Sequence, residues 1–326
     1  MDATKSKNAR KAVLLLFLAT VLWATTFILT KALGDVQRER DSTASSWLIS
    51  ALSLEIRFGL GAGLVALWQA RRLRELTPLE ITQGLGLGLF GGVGILLQMD
   101  GVMHTDASTC AFLTQCYCVF IPAFFVWRRR EFPTTLLMVA CAMVLTGIGV
   151  LANVDWRQVR IGRGEMETVA SSFFFTVQIL WLERKAFVSN GSGRATLVMF
   201  ATTTVVLLPV LIGSGGTVAR CVALYSSPAT IVIIIFLAVA CTVTTFGIMN
   251  EWQPRVPATE AGLIYCCEPM FTSIFALFLP AWVSRWSGIA YANEHVTARM
   301  ILGGGLIMIA NLLVQLKPKK SSPANS

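Results

Sequence analysis

The sequence predicts an all-α fold: a polytopic membrane protein of ten transmembrane helices in two inverted five-helix repeats, with both termini cytoplasmic. Three observations predict it: an apolar composition, ten apolar segments of membrane-spanning length, and an internal repeat. The chain is 55% hydrophobic and 14% charged, whereas soluble domains carry about 25% charged residues. Its mean hydropathy is +0.66. A water-soluble fold of 326 residues cannot bury so much apolar surface, so we expect a lipid bilayer around it.

Basic residues exceed acidic ones, with 27 Lys and Arg against 18 Asp and Glu. They lie mainly in short runs between apolar segments, a pattern typical of helix ends at a membrane surface and not of nucleic-acid binding. With the N-terminus inside, most of them fall in the inner connections. This asymmetry predicts that both termini are cytoplasmic.

The first half contains five segments of about the length that a bilayer-spanning helix needs. The first follows Lys5, Lys7, Arg10 and Lys11 and lacks a small-residue cleavage site, so we expect a retained signal anchor. A tight turn at 101–105 separates the third and fourth segments. The predicted segments of this half are 12–33, 46–70, 81–103, 107–127 and 135–152.

The second half repeats this organisation. Its predicted segments are 165–187, 195–213, 228–250, 259–282 and 298–316. The polar tail 317–326 is expected to be a disordered cytoplasmic segment.

An internal repeat relates the two halves. Thr105–Thr114 aligns with Val256–Tyr265, 151 positions later, and Ala19, Thr25 and Ile28 meet identical residues at the same offset. The predicted repeats are therefore 12–152 and 164–316. Because each holds an odd number of helices, the second must be inverted, an architecture common among transporters.

Four short motifs resemble the EamA family of the drug/metabolite transporter superfamily. They are Trp23–Lys31 (WATTFILTK), Arg57-Phe58, Cys267–Phe271 (CEPMF), and the pair Glu131 and Glu294 before the last segment of each half. The chain departs from the family pattern at Ala24, Cys118, Arg130 and Asn293. The resemblance implies a carrier that exports amino acids or other small metabolites, and it implies a prokaryotic inner membrane.

Glu268 lies near the middle of the ninth segment, where a charge costs at least about 2.5 kcal/mol. Such a carboxyl group needs a partner, a cavity or a proton, so it is either a substrate or proton site or a helix–helix hydrogen bond. Arg57 lies in the second segment. It can pair with Glu268 or bind a substrate carboxylate, with a fixed ion pair as the structural alternative. Pro269 and Pro122 predict helix kinks at matching places.

Five further residues complete the candidate substrate- or proton-binding set. Gln115 and Gln178 are expected to line a cavity, Trp23 and Tyr265 to contact substrate or to pack, and Lys31 to act in transport or to extend to the interface. The glycines at 84, 88 and 92 and at 59 and 63 predict close helix contacts within the monomer.

No enzymatic or metal site is predicted. The only histidines are His104 and His295, the Gly-rich stretch 84–94 lacks a phosphate-loop Lys, and the eight Cys have no zinc spacing. We therefore expect no catalytic residue, cofactor or metal. The prediction is a secondary transporter working by alternating access, proton-coupled or facilitated, with a small-molecule substrate. The alternatives are a nucleotide-sugar or lipid-linked sugar carrier, a non-transporting scaffold or sensor, and a membrane-embedded enzyme. A homodimer is left open.

Overall fold

Helices joined by short turns form most of the described chain. The computed structural model describes residues 2–130, 132, 134–151, 161–182, 184–187, 189–256 and 264–315, and these residues include no β-strand. Glu131 and the tail 317–326 lie outside them. The helices are α1 Asp2–Arg40, α2 Ser46–Gln69, α3 Pro78–Val102, α4 Ala107–Thr114, α5 Tyr117–Arg129, α6 Thr135–Leu151, α7 Arg163–Leu182, α8 Ser192–Gly213, α9 Val218–Leu224, α10 Pro228–Ala238, α11 Thr245–Trp252, α12 Glu268–Ala276, α13 Leu279–Ser287 and α14 Gly305–Gln315.

Shorter helical turns complete the chain. The π-helical turn Val239–Thr244 joins α10 to α11, and a second one, Met300–Gly304, leads into α14. The 3₁₀ turns are Ala70–Glu75, Lys185–Phe187 and Gln253–Arg255.

The apolar helices confirm an all-α membrane fold. Within the described ranges, six helical stretches are long and apolar enough to cross a bilayer: Arg10–Arg40, Ser46–Glu75, Pro78–Val102, Ala107–Arg128, Ser192–Gly213 and Pro228–Trp252. Two shorter apolar helices span Thr135–Leu151 and Met300–Leu313. Helix α7 and, for the described part of the ninth predicted span, α12 with α13 occupy the positions of the predicted sixth and ninth spans without meeting the combined length and composition of the six. Residues 259–263 of the ninth span lie outside the described residues. The number ten therefore stays a prediction.

Helix α3 lies between α7 and α8 and contacts both along its length. A methyl group added at Gly88 would lie 2.5 Å from the Met199 carbonyl oxygen of α8, and one at Gly91 would lie 2.2 Å from the Gln178 amide of α7. Two glycine faces thus bring three helices together. The face toward α8 is Gly84, Gly88 and Gly92, and the face toward α7 is Gly86, Gly91 and Gly94.

The prediction for the other glycine pair is wrong. A methyl group at Gly59 or Gly63 would meet nothing within 4 Å, because this face of α2 turns away from the other described helices. Leu60 and Leu64 on the neighbouring positions are also exposed.

The remaining contacts tie the two halves together. Helix α1 packs on α12, α10 and α11, while α2 packs on α8 and α6 on α14. Gly147 lies against Ile307, and Leu151 lies against Gly303, so α6 and α14 run antiparallel.

Candidate functional site

Two helix breaks lie at equivalent positions of the two halves. The first is the turn at Gln115 and Cys116 between α4 and α5, and the second is the turn at Cys266 and Cys267 before α12. They are 151 positions apart, the offset of the sequence repeat. Pro269 lies in the first turn of α12. Pro122 lies inside α5, so the interruption of this span precedes the predicted kink and needs no proline.

Side-chain amides satisfy the backbone at these breaks. The Gln115 side-chain amide donates to the Tyr265 carbonyl oxygen at 3.3 Å. The Gln115 carbonyl oxygen accepts from the side-chain amide of Asn311 in α14 at 3.4 Å. Carbonyl groups released by a broken helix need such partners at membrane depth. The breaks are therefore held by contacts between distant parts of the chain.

Glu268 and Gln115 meet where the two breaks face each other. The Gln115 side-chain amide also donates to Glu268 Oε2 at 3.2 Å. Glu268 is half-buried and opens α12, whose N-terminal end favours a negative charge. Within the described ranges Glu268 makes no ion pair. Nearby, Gln98 of α3 donates to the Thr114 hydroxyl at 3.0 Å.

Aromatic rings lie beside this carboxylate. The ring of Trp23 lies 5.8 Å from that of Tyr265 and 5.7 Å from that of Phe246 in α11. Phe246 in turn lies 6.1 Å from Phe58. Trp23, Tyr265 and Phe246 are half-buried, so each ring keeps accessible surface. The three rings form the aromatic cluster, which bridges α1, α11 and the second break.

Arg57 lies in α2, as predicted, but apart from Glu268. Its side chain is 1% exposed, its Nε donates to the Thr242 hydroxyl at 3.1 Å, and its Nη1 lies 3.3 Å from the sulfur of Met99. Thr242 belongs to the π-helical turn, a local irregularity frequent at functional sites. The expected pair with Glu268 is absent, because α3 and the π turn surround the guanidinium. The described residues offer Arg57 no carboxylate partner.

Gln178 and Lys31 also have structural partners outside the aromatic cluster. The Gln178 amide donates to the Leu87 carbonyl oxygen at 3.2 Å, against the glycine face of α3. Lys31 Nζ donates to the Thr105 carbonyl oxygen at 2.7 Å. Gln178 thus joins α7 to α3, and Lys31 anchors the turn between α3 and α4.

That turn is held from three sides. Besides the Lys31 contact, the Thr105 hydroxyl donates to Glu165 of α7 at 2.7 Å. Glu294 accepts from the Ala107 backbone N–H at 2.7 Å and from the Ser108 hydroxyl at 2.5 Å. The cap residue of α4, Asp106, makes no side-chain cap bond, so Glu294 serves as the cap. We call Lys31, Thr105, Ser108, Glu165 and Glu294 the turn clamp.

An ionic group lies beside the turn clamp. Arg163 of α7 pairs with the buried Asp100 and with Glu167. His104 lies 3.1 Å from the Ser46 hydroxyl. Burial, and then the Arg163 guanidinium, lower the pKa of His104 below its usual value. His104 is thus held neutral at pH 7.

Three acidic residues were not among the predicted site residues. Glu165 accepts a hydrogen bond from Thr105, and Asp100 pairs with Arg163, so both contact residues far away in sequence. Glu55 is a half-buried carboxylate of α2 whose Oε1 has no hydrogen-bond partner among the described residues. Glu55 lies within an apolar segment, so the sequence alone indicates a carboxylate at membrane depth there.

Residues 10–153 match the EamA-like transporter family, which confirms the resemblance over α1–α6. No curated protein matches the chain. A solved structure, titled only "Crystal structure of protein", is 16% identical with a TM-score of 0.52, covering 94% of this chain and 98% of its own. That likeness concerns the fold alone. The apolar helices indicate a multi-pass membrane protein, and the family match shows that its first half, α1–α6, is similar to the EamA-like transporters.

Proposed function

Since residues 10–153 match the EamA-like transporter family, we propose that this protein is a secondary transporter moving small organic solutes by alternating access. The observation that carries the proposal is the meeting of two broken helices at Glu268 and Gln115, 3.2 Å apart. Broken helices that expose backbone and charge at membrane depth are the usual sites of substrate and coupling ions in such carriers.

Two inverted repeats of five spans, 12–152 and 164–316, fit the packing. Helix α3 packs on α7 as α10–α11 packs on α1, and α5 packs on α7 as α12 packs on α1. If the two halves are exchanged, α2 takes the place of α8 and α6 that of α14, so the contacts of α2 with α8 and of α6 with α14 are each mapped onto themselves. Together with the equal offset of the two breaks, this pattern supports ten spans related by a pseudo-twofold axis.

Glu268 and the aromatic cluster are suited to an amine. A carboxylate accepts hydrogen bonds from an ammonium group, and the faces of Trp and Tyr attract cations. When no solute is bound, a proton on Glu268 serves the same electrostatic need, because an unpaired carboxylate at membrane depth is costly. Exchange of amine and proton at one carboxylate gives proton coupling.

Arg57 is suited to the acidic end of the solute. A buried guanidinium with no carboxylate partner among the described residues leaves a positive charge uncompensated. A solute carboxylate binds guanidinium in a bidentate manner. Arg57 precedes Phe58, which contacts Phe246 of the aromatic cluster, so both charged groups adjoin one chain of rings. We propose an amino acid or a similar zwitterionic metabolite as the substrate.

The turn clamp is the proposed gate at one end. It joins α1, α7 and the segment before α14 to the start of α4 through hydrogen bonds of 2.5–2.7 Å. When the hydrogen bonds of the turn clamp break, these elements separate. Water can replace such bonds, because it satisfies the free backbone groups of a helix end. We propose that this end faces outward in a prokaryotic inner membrane and that transport runs as export.

A nucleotide-sugar carrier is the second candidate, and it is less favoured. Its substrate carries phosphates and requires several basic groups, whereas Arg57 is the buried basic residue of the described spans.

Cells that overproduce the protein test the proposal. We would compare solutes released by wild-type, Glu268→Gln and Glu55→Gln cells at matched membrane levels. Glu55 of α2 is the control, since it is a second carboxylate in an apolar helix and lies outside both helix breaks. We expect wild-type and Glu55→Gln cells to release amino acids or related zwitterions, with Glu268→Gln reduced at least tenfold. Equal release by all three variants contradicts the site, and no release by any contradicts export.

Thermal unfolding separates a carrier from a scaffold. The released solutes should raise the melting temperature of purified wild-type protein and not of Glu268→Gln. A shift for neither protein, together with no release from cells, favours a scaffold.

A further inference from the structure

An apolar groove lies between α5 and α6, outside the proposed transport site. Its volume is about 490 Å³, and its walls include Ala123, Val126, Trp127, Leu137, Cys141 and Leu145. Trp127 is 76% exposed and Leu145 is 66% exposed. The groove therefore opens outward from the bundle, where the bilayer surrounds the protein.

Basic side chains lie at one end of this groove. Arg128 directly follows Trp127, Arg130 lies three positions after it, and both arginines are exposed. Among the described residues neither makes an ion pair. Arg130 ends α5 in the left-handed conformation, with φ at 53°. The sequence there holds three consecutive arginines and one acidic neighbour, Glu131, so the end of the groove is positive.

We propose that this groove binds an anionic phospholipid, with an acyl chain along the apolar walls and the phosphate at Arg128 and Arg130. The nine residues from Leu137 to Leu145 span about 12 Å of helix, which accommodates a stretch of acyl chain. Guanidinium groups bind phosphate in a bidentate manner. Trp127 lies between the two regions, as aromatic residues do at a membrane interface.

The charge distribution favours lipid over a second copy of the chain. In a twofold dimer through this groove the same patch faces itself, and the two arginine runs approach each other. An anionic headgroup neutralises that charge instead. Each basic residue at a membrane surface contributes about a fivefold gain in affinity for anionic lipid, so the two described arginines predict about a 25-fold preference over a neutral headgroup.

Native mass spectrometry of the full chain with phosphatidylglycerol or phosphatidylcholine tests this. The variants are Arg128→Gln/Arg130→Gln, the matched control Arg71→Gln/Arg72→Gln from the exposed turn after α2, and Ala142→Trp, which fills the groove. Unchanged melting temperatures establish that each variant folds.

We expect wild type and the control to prefer phosphatidylglycerol at least tenfold, and the first variant to lose most of that preference. Ala142→Trp should weaken the binding of both lipids. Equal losses in the two arginine variants indicate general surface charge and overturn the proposal. Efficient disulfide cross-linking through Cys141 in membranes also overturns it, because a second copy then covers the groove.

Discussion

Replacing Glu294 with alanine tests whether the turn clamp holds one end of the carrier closed. In the structure this carboxylate accepts from the Ala107 N–H and the Ser108 hydroxyl at the start of α4. Alanine leaves both donors to water. The clamp then depends on Lys31 and Glu165 alone, so the closed arrangement becomes less stable relative to an open one.

The size of the effect follows from the two lost hydrogen bonds. Bonds to a charged group contribute about 1.5–3 kcal/mol each when buried, and loss of a helix cap costs about 1 kcal/mol. Glu294 is half-buried, and water replaces part of what is lost. We therefore expect a total of about 2 kcal/mol, which changes the ratio of closed to open states by about 30-fold.

The modification rate of Cys110 measures this shift. Cys110 lies on α4 just beyond the clamp and is fully buried, so it reacts with a maleimide only when that end opens. We expect Glu294→Ala to raise the rate about 30-fold and Glu39→Ala, an exposed carboxylate at the same end of α1, to leave it unchanged. Cys241, buried within the π turn, reports general unfolding. An equal rise at both cysteines, or no rise at Cys110, refutes the gate.

Three further outcomes are expected. Gly88→Ala should lower the free energy of unfolding by about 1–3 kcal/mol, because its methyl group meets the backbone of α8, whereas Gly59→Ala in open space should not; thermal unfolding in detergent decides. Gln178→Leu should lower stability and leave transport unchanged, whereas Gln115→Leu should abolish transport. Melting temperatures measure the stability, and release assays measure the transport. The pKa of His104 is lowered by burial, so its contribution to stability is retained above about pH 6.5 and declines as pH falls below it. His104→Gln should flatten that part of the melting curve against pH.

The sequence predicted the helices well where apolar length determines them. The predicted segments 46–70, 81–103 and 195–213 agree closely with α2, α3 and α8, because a spanning helix needs its full apolar length. The first segment, 12–33, was too short. Helix α1 continues to Arg40 through polar residues that favour helix, and a hydropathy pattern does not detect such an extension.

The breaks were harder to predict because their determinants are distant in sequence. Pro122 is the local signal in the fourth span, yet the turn lies at Gln115 and Cys116. Neither residue is a helix breaker by propensity. The turn is satisfied by Asn311 and by contact with Tyr265, and these partners are known only once the halves are assembled.

For the candidate site, the sequence identified residue types better than pairings. Glu268 and Gln115 were both expected at membrane depth, and they meet. A pair between Arg57 and Glu268 was one alternative, suggested by opposite charge alone, beside a contact to a substrate carboxylate. The two residues do not meet, because the position of Arg57 on α2 directs its side chain toward Met99 and Thr242.

Gln115 links the proposed solute site to the rest of the bundle. Its side-chain amide binds both Glu268 and the Tyr265 carbonyl, and its own carbonyl binds Asn311 of α14. A proton or an ammonium group at Glu268 removes the negative charge that strengthens the first of these bonds. The balance between the bonds at Gln115 then changes, and both helix breaks share that residue. In the proposed alternating-access mechanism, occupancy of this one carboxylate therefore acts on both helix breaks at once.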